Sequence, residues 1–568
     1  MTHAWLEAIV ILLGTLLAAL ALVPWLAAVF PMGAAGDADS GPRLLRALER
    51  PLLRAAGSWP PREMTARDYA AATVVMHLVG TVVLVAILRL QPLLPWNPDG
   101  LPTVPWGIAI NTAVSFVTNT NWQSYAGETT LSPLAQVCGL TVQNFVSAAI
   151  GFCALAVLVR GFARQDCPTV GDFWQDLVRG IVGLLLPLAA IAAALLVWQG
   201  VAQSLATTAD GMPTGPVASQ TAIALVGTNG GGYFNANVAH PLANPTPLAN
   251  AIAIAALLVL SMSGCLAFGR WVGDRRQGRA ILLANALLLL PALAIILAAE
   301  TSPNRSLPAA IDQATTADHD GGSLEGKEVR IGSGASALFA AATTATSTGA
   351  VDASHDSLSP LGGLVTLWLM QLGEVVFGGV GTGTAGMLTY AIVAVFVAGL
   401  MVGRSPEYLG KKIEAREMKL SMLILLVPPL TTLLGAAAAC VVPGAAAAAP
   451  NPGPHGFSEL LYAFTSAANN NGSAFSGLDA TSPFWTLGLA AAMAVGRVIS
   501  VACLVLLGGS LAAKRPVAAS IGTLPTHGPL FILLVVAVVN LVGALSFVPA
   551  LALGPIAEAL QPIAGAAP

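Results

Sequence analysis

Ten stretches of this chain are apolar for long enough to cross a bilayer, which rules out an ordinary water-soluble fold. They run at about 5–30, 69–90, 134–160, 173–201, 247–269, 280–299, 361–401, 420–442, 484–511 and 529–551, against the ~20 residues that a helical crossing requires. Charged residues make up 9% of the 568, where soluble domains carry roughly 25%. Lipid is therefore the solvent for most of the surface, and the expected fold class is an all-α polytopic membrane protein with about ten transmembrane helices. The first stretch, Trp5 to Phe30, is too long for a signal-peptide core and has no Lys or Arg before it, so it reads as a retained span. The six cysteines form no CxxC pair and read as small core residues. A net charge of −3 offers nothing to nucleic acid.

Positive charge orients the chain. Of 25 Lys and Arg, 20 fall between, or within the facing ends of, spans 1–2, 3–4, 5–6, 7–8 and 9–10, among them Arg43, Arg46, Arg50, Arg275, Arg276, Lys411 and Lys412. The alternate loops hold three, Arg305, Lys327 and Arg330, and Arg89 and Arg497 lie within spans or at their ends. The positive-inside rule puts the basic loops in the cytoplasm and both termini outside.

Four of the outer loops share a pattern: a short apolar segment, a polar strip, then a Ser/Thr-Pro pair that opens the next span. The strips are Thr118-Asn119-Thr120-Asn121, Gly227-Thr228-Asn229-Gly230, Thr346-Ser347-Thr348-Gly349 and Asn469-Asn470-Asn471-Gly472. The helix starts are Ser132-Pro133, Thr246-Pro247, Ser359-Pro360 and Ser482-Pro483, with the proline 12, 17, 11 and 11 residues beyond the strip. Ser or Thr as N-cap with Pro at the first helical position is helix-start chemistry, and its fourfold recurrence marks a repeat. The preceding segments, about 107–118, 220–227, 335–346 and 456–468, are too short to cross and suit re-entrant half-helices. Irregular backbone survives at membrane depth only when buried in protein or lining a watery cavity. Four strips converging on one axis, each at the negative end of a half-helix, would give rings of carbonyls for a dehydrated cation. Glycine at Gly230, Gly349 and Gly472, with Asn121 in the first strip, suits carbonyls turned inward at unusual dihedrals. Asn119, Thr228, Ser347 and Asn470 can hydrogen-bond locally. The implied organisation is a first helix and cytoplasmic loop (1–68), pore repeats at 69–160, 173–269, 280–401 and 420–511, and a C-terminal helix within 512–568. The second helix of the third repeat is broken.

At these residues the chain resembles the potassium-binding A subunit family of the bacterial Kdp potassium-pumping ATPase. The resemblance is carried by Thr118-Asn-Thr-Asn-Trp-Gln-Ser-Tyr-Ala-Gly-Glu128, Gly227-Thr-Asn-Gly-Gly-Gly-Tyr-Phe-Asn-Ala-Asn237 and Gly373-Glu-Val-Val-Phe-Gly-Gly-Val-Gly381. It continues through Gly403-Arg-Ser-Pro-Glu-Tyr-Leu-Gly-Lys-Lys412, Asn451-Pro-Gly-Pro-His-Gly-Phe-Ser458, Ser466-Ala-Ala-Asn-Asn-Asn-Gly-Ser-Ala-Phe475 and Gly522-Thr-Leu-Pro-Thr-His-Gly-Pro-Leu530. It implies a fourfold pseudo-symmetric potassium transporter of the bacterial plasma (inner) membrane. The K+ filter would be Asn119, Thr120, Asn121, Thr228, Asn229, Gly230, Ser347, Thr348, Gly349, Asn470, Asn471 and Gly472. The implied partners are a P-type ATPase B subunit that hydrolyses ATP, a C subunit, a small single-span subunit and membrane lipid. The chain has no Asp-Lys-Thr-Gly phosphorylation motif and no GxxxxGK[ST] loop, and its longest cytoplasmic loop is about 31–68. ATP chemistry must then come from a partner. A stand-alone channel or an ion-coupled carrier of the same superfamily is the alternative, and an intramembrane hydrolase lacks a metal or nucleophile constellation.

Several further residues attract attention. Arg497 lies inside the ninth span, where an arginine costs roughly 2.5–3.5 kcal/mol on insertion scales, so it should face the interior and meet an acid or filter carbonyls. The 361–401 segment is 41 residues long and carries Gly373, Gly378, Gly379, Gly381, Gly383 and Gly386, each unfavourable by up to about 1 kcal/mol in a helix. Two half-helices joined by a loop near the pore axis are expected, with Glu374 at its entrance and Gly379 and Gly381 within it. Such a loop would block a straight route to the cytoplasm and send an ion sideways. Gln123 and Glu128 follow the first strip and suit bracing or cation enrichment at the pore mouth. Ser354-His355-Asp356-Ser357 is not a triad, since consecutive residues cannot meet as one. His240 and His455 read as loop residues beside prolines. Arg43 to Arg54 reads as an interfacial amphipathic element interrupted by Pro51.

Overall fold

The computed structural model describes residues 2–33, 41–206, 208–209, 212–304, 308, 310–316, 321–403, 405–518 and 524–561. Arg305, Arg404, Gly522 and Thr523 lie outside them. A leading helix α1 (Thr2–Val29) and a short α2 (Arg43–Ala55) precede four similar units. The first unit is α3 (Ala66–Leu90), a half-length α4 (Trp106–Val117) and α5 (Ala135–Ala163). The second is α6 (Phe173–Trp198), α7 (Val217–Val226) and α8 (Pro247–Trp271). The third is α9 (Arg275–Glu300), α10 (Ser333–Ala345), α11 (Pro360–Gln371) and α12 (Thr382–Val402). The fourth is α13 (Ala415–Val441), α14 (Gly453–Ala468) and α15 (Pro483–Ala512), after which α16 (Pro529–Leu553) and α17 (Pro555–Ala559) close the chain. Ten helices are long and apolar enough to cross a membrane. Sheet among the described residues is limited to three short antiparallel pairs, such as Met64–Thr65 with Thr169–Gly171.

The Ser/Thr-Pro pairs start the second helices by the chemistry that favours them. Thr246 Oγ1 accepts from Ala249 N, Ser359 Oγ from Gly362 N and Ser132 Oγ from Ala135 N. Ser482 occupies the same place without a side-chain bond. The 361–401 segment is divided into α11 and α12, and the intervening turn holds Gly373, Glu374, Phe377, Gly378 and Gly381 at positive φ. Second helices fill the centre. From Ser147 to Phe162 every residue of α5 is buried, while α1 packs on α8 and turns Leu6, Val10, Leu13 and Leu17 outward.

The basic ends of the helices are knitted by buried ion pairs. Arg160 Nη1 meets Asp176 Oδ2 at 2.5 Å, and Tyr69 Oη donates to the same oxygen at 2.9 Å. Arg179 meets Glu49 at 3.0 Å, so α2 docks through Leu45, Glu49 and Leu53. That docking holds Arg43–Ala55 as one helix through Pro51, where the proline was expected to interrupt it. Its opposite side exposes Leu44, Leu48 and Leu52. Removing one member of a buried pair strands the other charge, at about 3–5 kcal/mol. Arg160→Met should therefore lower the thermal unfolding midpoint of the detergent-purified protein sharply. Arg160→Met with Asp176→Leu should recover most of the loss, and equal damage in both variants would contradict this account.

Candidate functional site

The four half-helices α4, α7, α10 and α14 end in one way. The amide of the residue after each helix returns to the carbonyl four residues back: Thr118 to Val114, Gly227 to Ile223, Thr346 to Ala342, Asn469 to Thr465. Two residues later the amide reaches five residues back, from Thr120 to Ser115, Asn229 to Ala224, Thr348 to Thr343 and Asn471 to Ser466, at 2.8–3.0 Å. Between and after these lie left-handed residues. Asn119, Thr228, Ser347 and Asn470 have φ of 65°, 46°, 55° and 59°, and Asn121, Gly230, Gly349 and Gly472 have 56°, 74°, 75° and 101°. Alternation of left- and right-handed residues sends successive N–H groups to one side. Here that side is taken by the helix carbonyls, so the opposite edge of each strip presents carbonyl oxygens.

The strips form a closed ring. A Cβ added to Gly230 would stand 1.8 Å from Thr348 O, one on Gly349 2.1 Å from Asn471 O, and one on Gly472 1.8 Å from Thr120 O. The last residue of one strip thus packs on the carbonyl of the next-to-last residue of the next. At the remaining junction stands Asn121, whose Nδ2 donates to Gly230 O at 2.8 Å and to Asn144 Oδ1 at 2.9 Å. Asparagine is among the side chains most at ease with left-handed backbone. Asn119 Nδ2 donates to Thr228 O, Ser347 Oγ to Asn470 O and Asn470 Nδ2 to Thr120 Oγ1, at 2.9, 3.1 and 2.9 Å. Thr228, a β-branched residue in a conformation such residues rarely adopt, accepts from Val380 N through Oγ1 at 2.8 Å.

That last bond comes from the turn between α11 and α12, which lies directly under the ring. Gly378 N donates to Ala345 O, Gly378 O accepts from Ser261 Oγ and Phe377 N donates to Asn285 Oδ1. Gly379 sits beside Ser347: an added Cβ would lie 3.4 Å from its Cβ. Gly381, at φ 78°, approaches Gly151 O so closely that a Cβ would stand 2.3 Å away. Adjoining the turn is a cavity of about 80 Å³, bounded by the third and fourth strips, by α12 and by α13 and α15. Glu374 and Arg497 both line it, and each is about nine-tenths buried or more. Arg497 donates to Ser147 O at 2.9 Å, so it faces the interior as its position in the span demanded.

Gln123 and Glu128 tie the first loop to the second. Gln123 Oε1 accepts from Gly232 N at 2.9 Å and its Nε2 donates to Gly232 O at 3.1 Å; Glu128 Oε2 accepts from Asn235 N. His240 stacks on Phe234. His355 bonds Tyr462 Oη, not Asp356. Sequence reasoning missed the supports behind the strips: Asn144, Ser147, Ser466 and Ser473. Ser147 Oγ donates to Asn119 Oδ1, Ser466 Oγ accepts from Gly472 N and Ser473 Oγ donates to Asn471 Oδ1. The polar residues in the first half of α5, Gln136, Thr141, Gln143, Asn144 and Ser147, were the signal that pointed to the first two.

Comparison with known proteins gives one consistent result. The family described as "Potassium-transporting ATPase A subunit" matches residues 9–560. The potassium-transporting ATPase potassium-binding subunit of Sorangium cellulosum (strain So ce56) is 52% identical over 537 residues, covering 91% of this chain and 93% of that protein. The subunit of the same description from Burkholderia mallei (strain ATCC 23344) is 49% identical, with 92% and 94% covered. In fold, the chain is similar to the potassium transporter TrkH from Vibrio parahaemolyticus, with a TM-score of 0.51 at 14% identity over 89% of this chain and 98% of that one.

Proposed function

The chain belongs to the family of potassium-transporting ATPase A subunits, and from that premise we propose that the ring of four strips is its potassium filter. Its function is that of the potassium-binding, non-catalytic subunit of a potassium-transporting ATPase. In this reading K+ sheds water against the carbonyls of Asn119, Thr120, Asn121, Thr228, Asn229, Gly230, Ser347, Thr348, Gly349, Asn470, Asn471 and Gly472. Rings of backbone carbonyls can replace a hydration shell, and the C-terminal ends of α4, α7, α10 and α14 add partial negative charge. One observation carries the assignment: each strip packs onto a carbonyl or side chain of the next until the ring closes. Gln123 and Glu128 act as staples at its mouth. The units 69–160, 173–269, 280–401 and 420–511 are the four pore repeats.

Below the filter, the turn holding Gly379 and Gly381 closes the axial route, and an ion leaves sideways through the cavity beside Glu374. Arg497 sets the charge balance there. The membrane is the bacterial inner membrane, with both termini and the filter on the outer side. ATP enters only through a P-type ATPase B subunit, accompanied by a C subunit and a small single-span subunit. Reconstituted alone in vesicles, the chain should give no uptake of K+ against its gradient, because uphill transport needs the partner's ATP hydrolysis. Potassium accumulation by the lone chain under an imposed ion gradient would favour an ion-coupled carrier instead.

A further inference from the structure

At the end of the molecule where the half-helices begin, three distant segments bring one imidazole and three carboxylates together. Asp356 comes from the turn before α11, His455 and Glu459 from the first turns of α14, and Glu558 from α17. His455 Nε2 faces Asp356 Oδ1 at 3.1 Å and Glu459 Oε1 at 3.8 Å, while Nδ1 is held by Glu558 Oε1 at 2.9 Å. One donor atom each from Asp356, His455 and Glu459 lies within 4.8 Å of the others. Asn451 Nδ2 holds Glu459 Oε1, but Glu459 Oε2 is buried with no hydrogen-bond partner, on a side chain only 1% exposed. Among the described residues neither Lys nor Arg pairs with any of the three carboxylates.

We propose that Asp356 Oδ1, His455 Nε2 and Glu459 form a site for a divalent transition cation of the zinc class, distinct from the potassium filter. One imidazole and two carboxylates are a donor set that zinc takes, at about 2.0–2.2 Å per bond, and donor atoms 3.1 to 3.8 Å apart can close on one ion. Glu558 on Nδ1 fixes the tautomer that leaves Nε2 to a metal, the support that metal-bound histidines ordinarily have. Charge also selects a dication. Three carboxylates face one imidazole, so even an imidazolium leaves a surplus of two negative charges. A relay of contacts links this cluster to the fourth strip. The His455 ring stacks on Phe475, Phe475 stacks on Tyr462, and Tyr462 Oη bonds Ser473, the residue after Gly472.

The test is calorimetric titration of Zn2+ into the EDTA-treated, purified ATPase complex containing this chain, alongside His455→Gln, Glu459→Gln and Glu558→Gln. The wild type should bind one Zn2+ per complex more than His455→Gln and Glu459→Gln do. Glu558→Gln, which keeps all three ligands, should bind at that site about 10–100-fold more weakly. Co2+ should give a visible absorption band in the wild type that His455→Gln lacks. Equal stoichiometry in the wild type and both ligand variants would overturn the site. An affinity unaltered in Glu558→Gln would overturn the supporting role given to Glu558.

Discussion

Gly472→Ala should weaken potassium binding by about 100-fold or more and remove most discrimination against sodium. Two independent strains meet at this residue. Its φ of 101° lies in a region that side chains enter at a cost of order 1–3 kcal/mol. A Cβ there would also stand 1.8 Å from Thr120 O, so the first strip must move, and with it a carbonyl of the proposed filter. About 3 kcal/mol of lost binding corresponds to roughly a hundredfold in affinity. Gly349→Ala, with its Cβ 2.1 Å from Asn471 O, should act in the same direction. Gly528→Ala meets nothing within 4 Å at an ordinary φ and serves as the control. Potassium-stimulated ATPase activity of the assembled complex, titrated with K+ and with Na+, reads both properties. Wild-type affinity and selectivity in an assembled Gly472→Ala complex would mean that ions do not pass through this ring.

Deleting residues 379–383 should convert the subunit from a closed filter into a leak. The turn is held under the ring by Val380 N on Thr228 Oγ1, Gly378 N on Ala345 O and Ser261 Oγ on Gly378 O. The deletion removes the first of these anchors and the close seat of Gly381 against Gly151. Vesicles carrying the deleted protein should then show passive potassium flux without ATP, where the wild type shows none. The complex must still assemble for the result to count, which copurification establishes. An assembled variant that stays closed to passive flux would place the barrier elsewhere.

The parts of this architecture that were legible in the sequence are those written locally. Apolar length fixes the spans, and Ser/Thr-Pro fixes where second helices begin. The six glycines between 373 and 386 announce a break in the 361–401 segment. Left-handed glycine at Gly230, Gly349 and Gly472 follows from residue type. The left-handed state of Thr228 does not, because it is enforced by a bond from Val380, 152 residues away. Likewise His455, beside Pro454, suggested a loop, and only the fold brings Asp356 and Glu558 to either side of its ring. Pro51 failed as a helix breaker because α6 supplies Arg179 and Gln175 to hold Glu49.

The ring closes between the ends of the sequence rather than between neighbours. Asn470 reaches Thr120 across 350 residues, and Gly472 packs on the same Thr120. During synthesis the first strip therefore leaves the ribosome long before the surface that completes it exists. Domains generally fold as units as the chain emerges, but this ring belongs to no single unit, and a chain stopped before the fourth strip leaves a gap in it. If the ring is the filter, selectivity arrives in one step, once the fourth strip is in place, and a chain that stops earlier lacks it altogether.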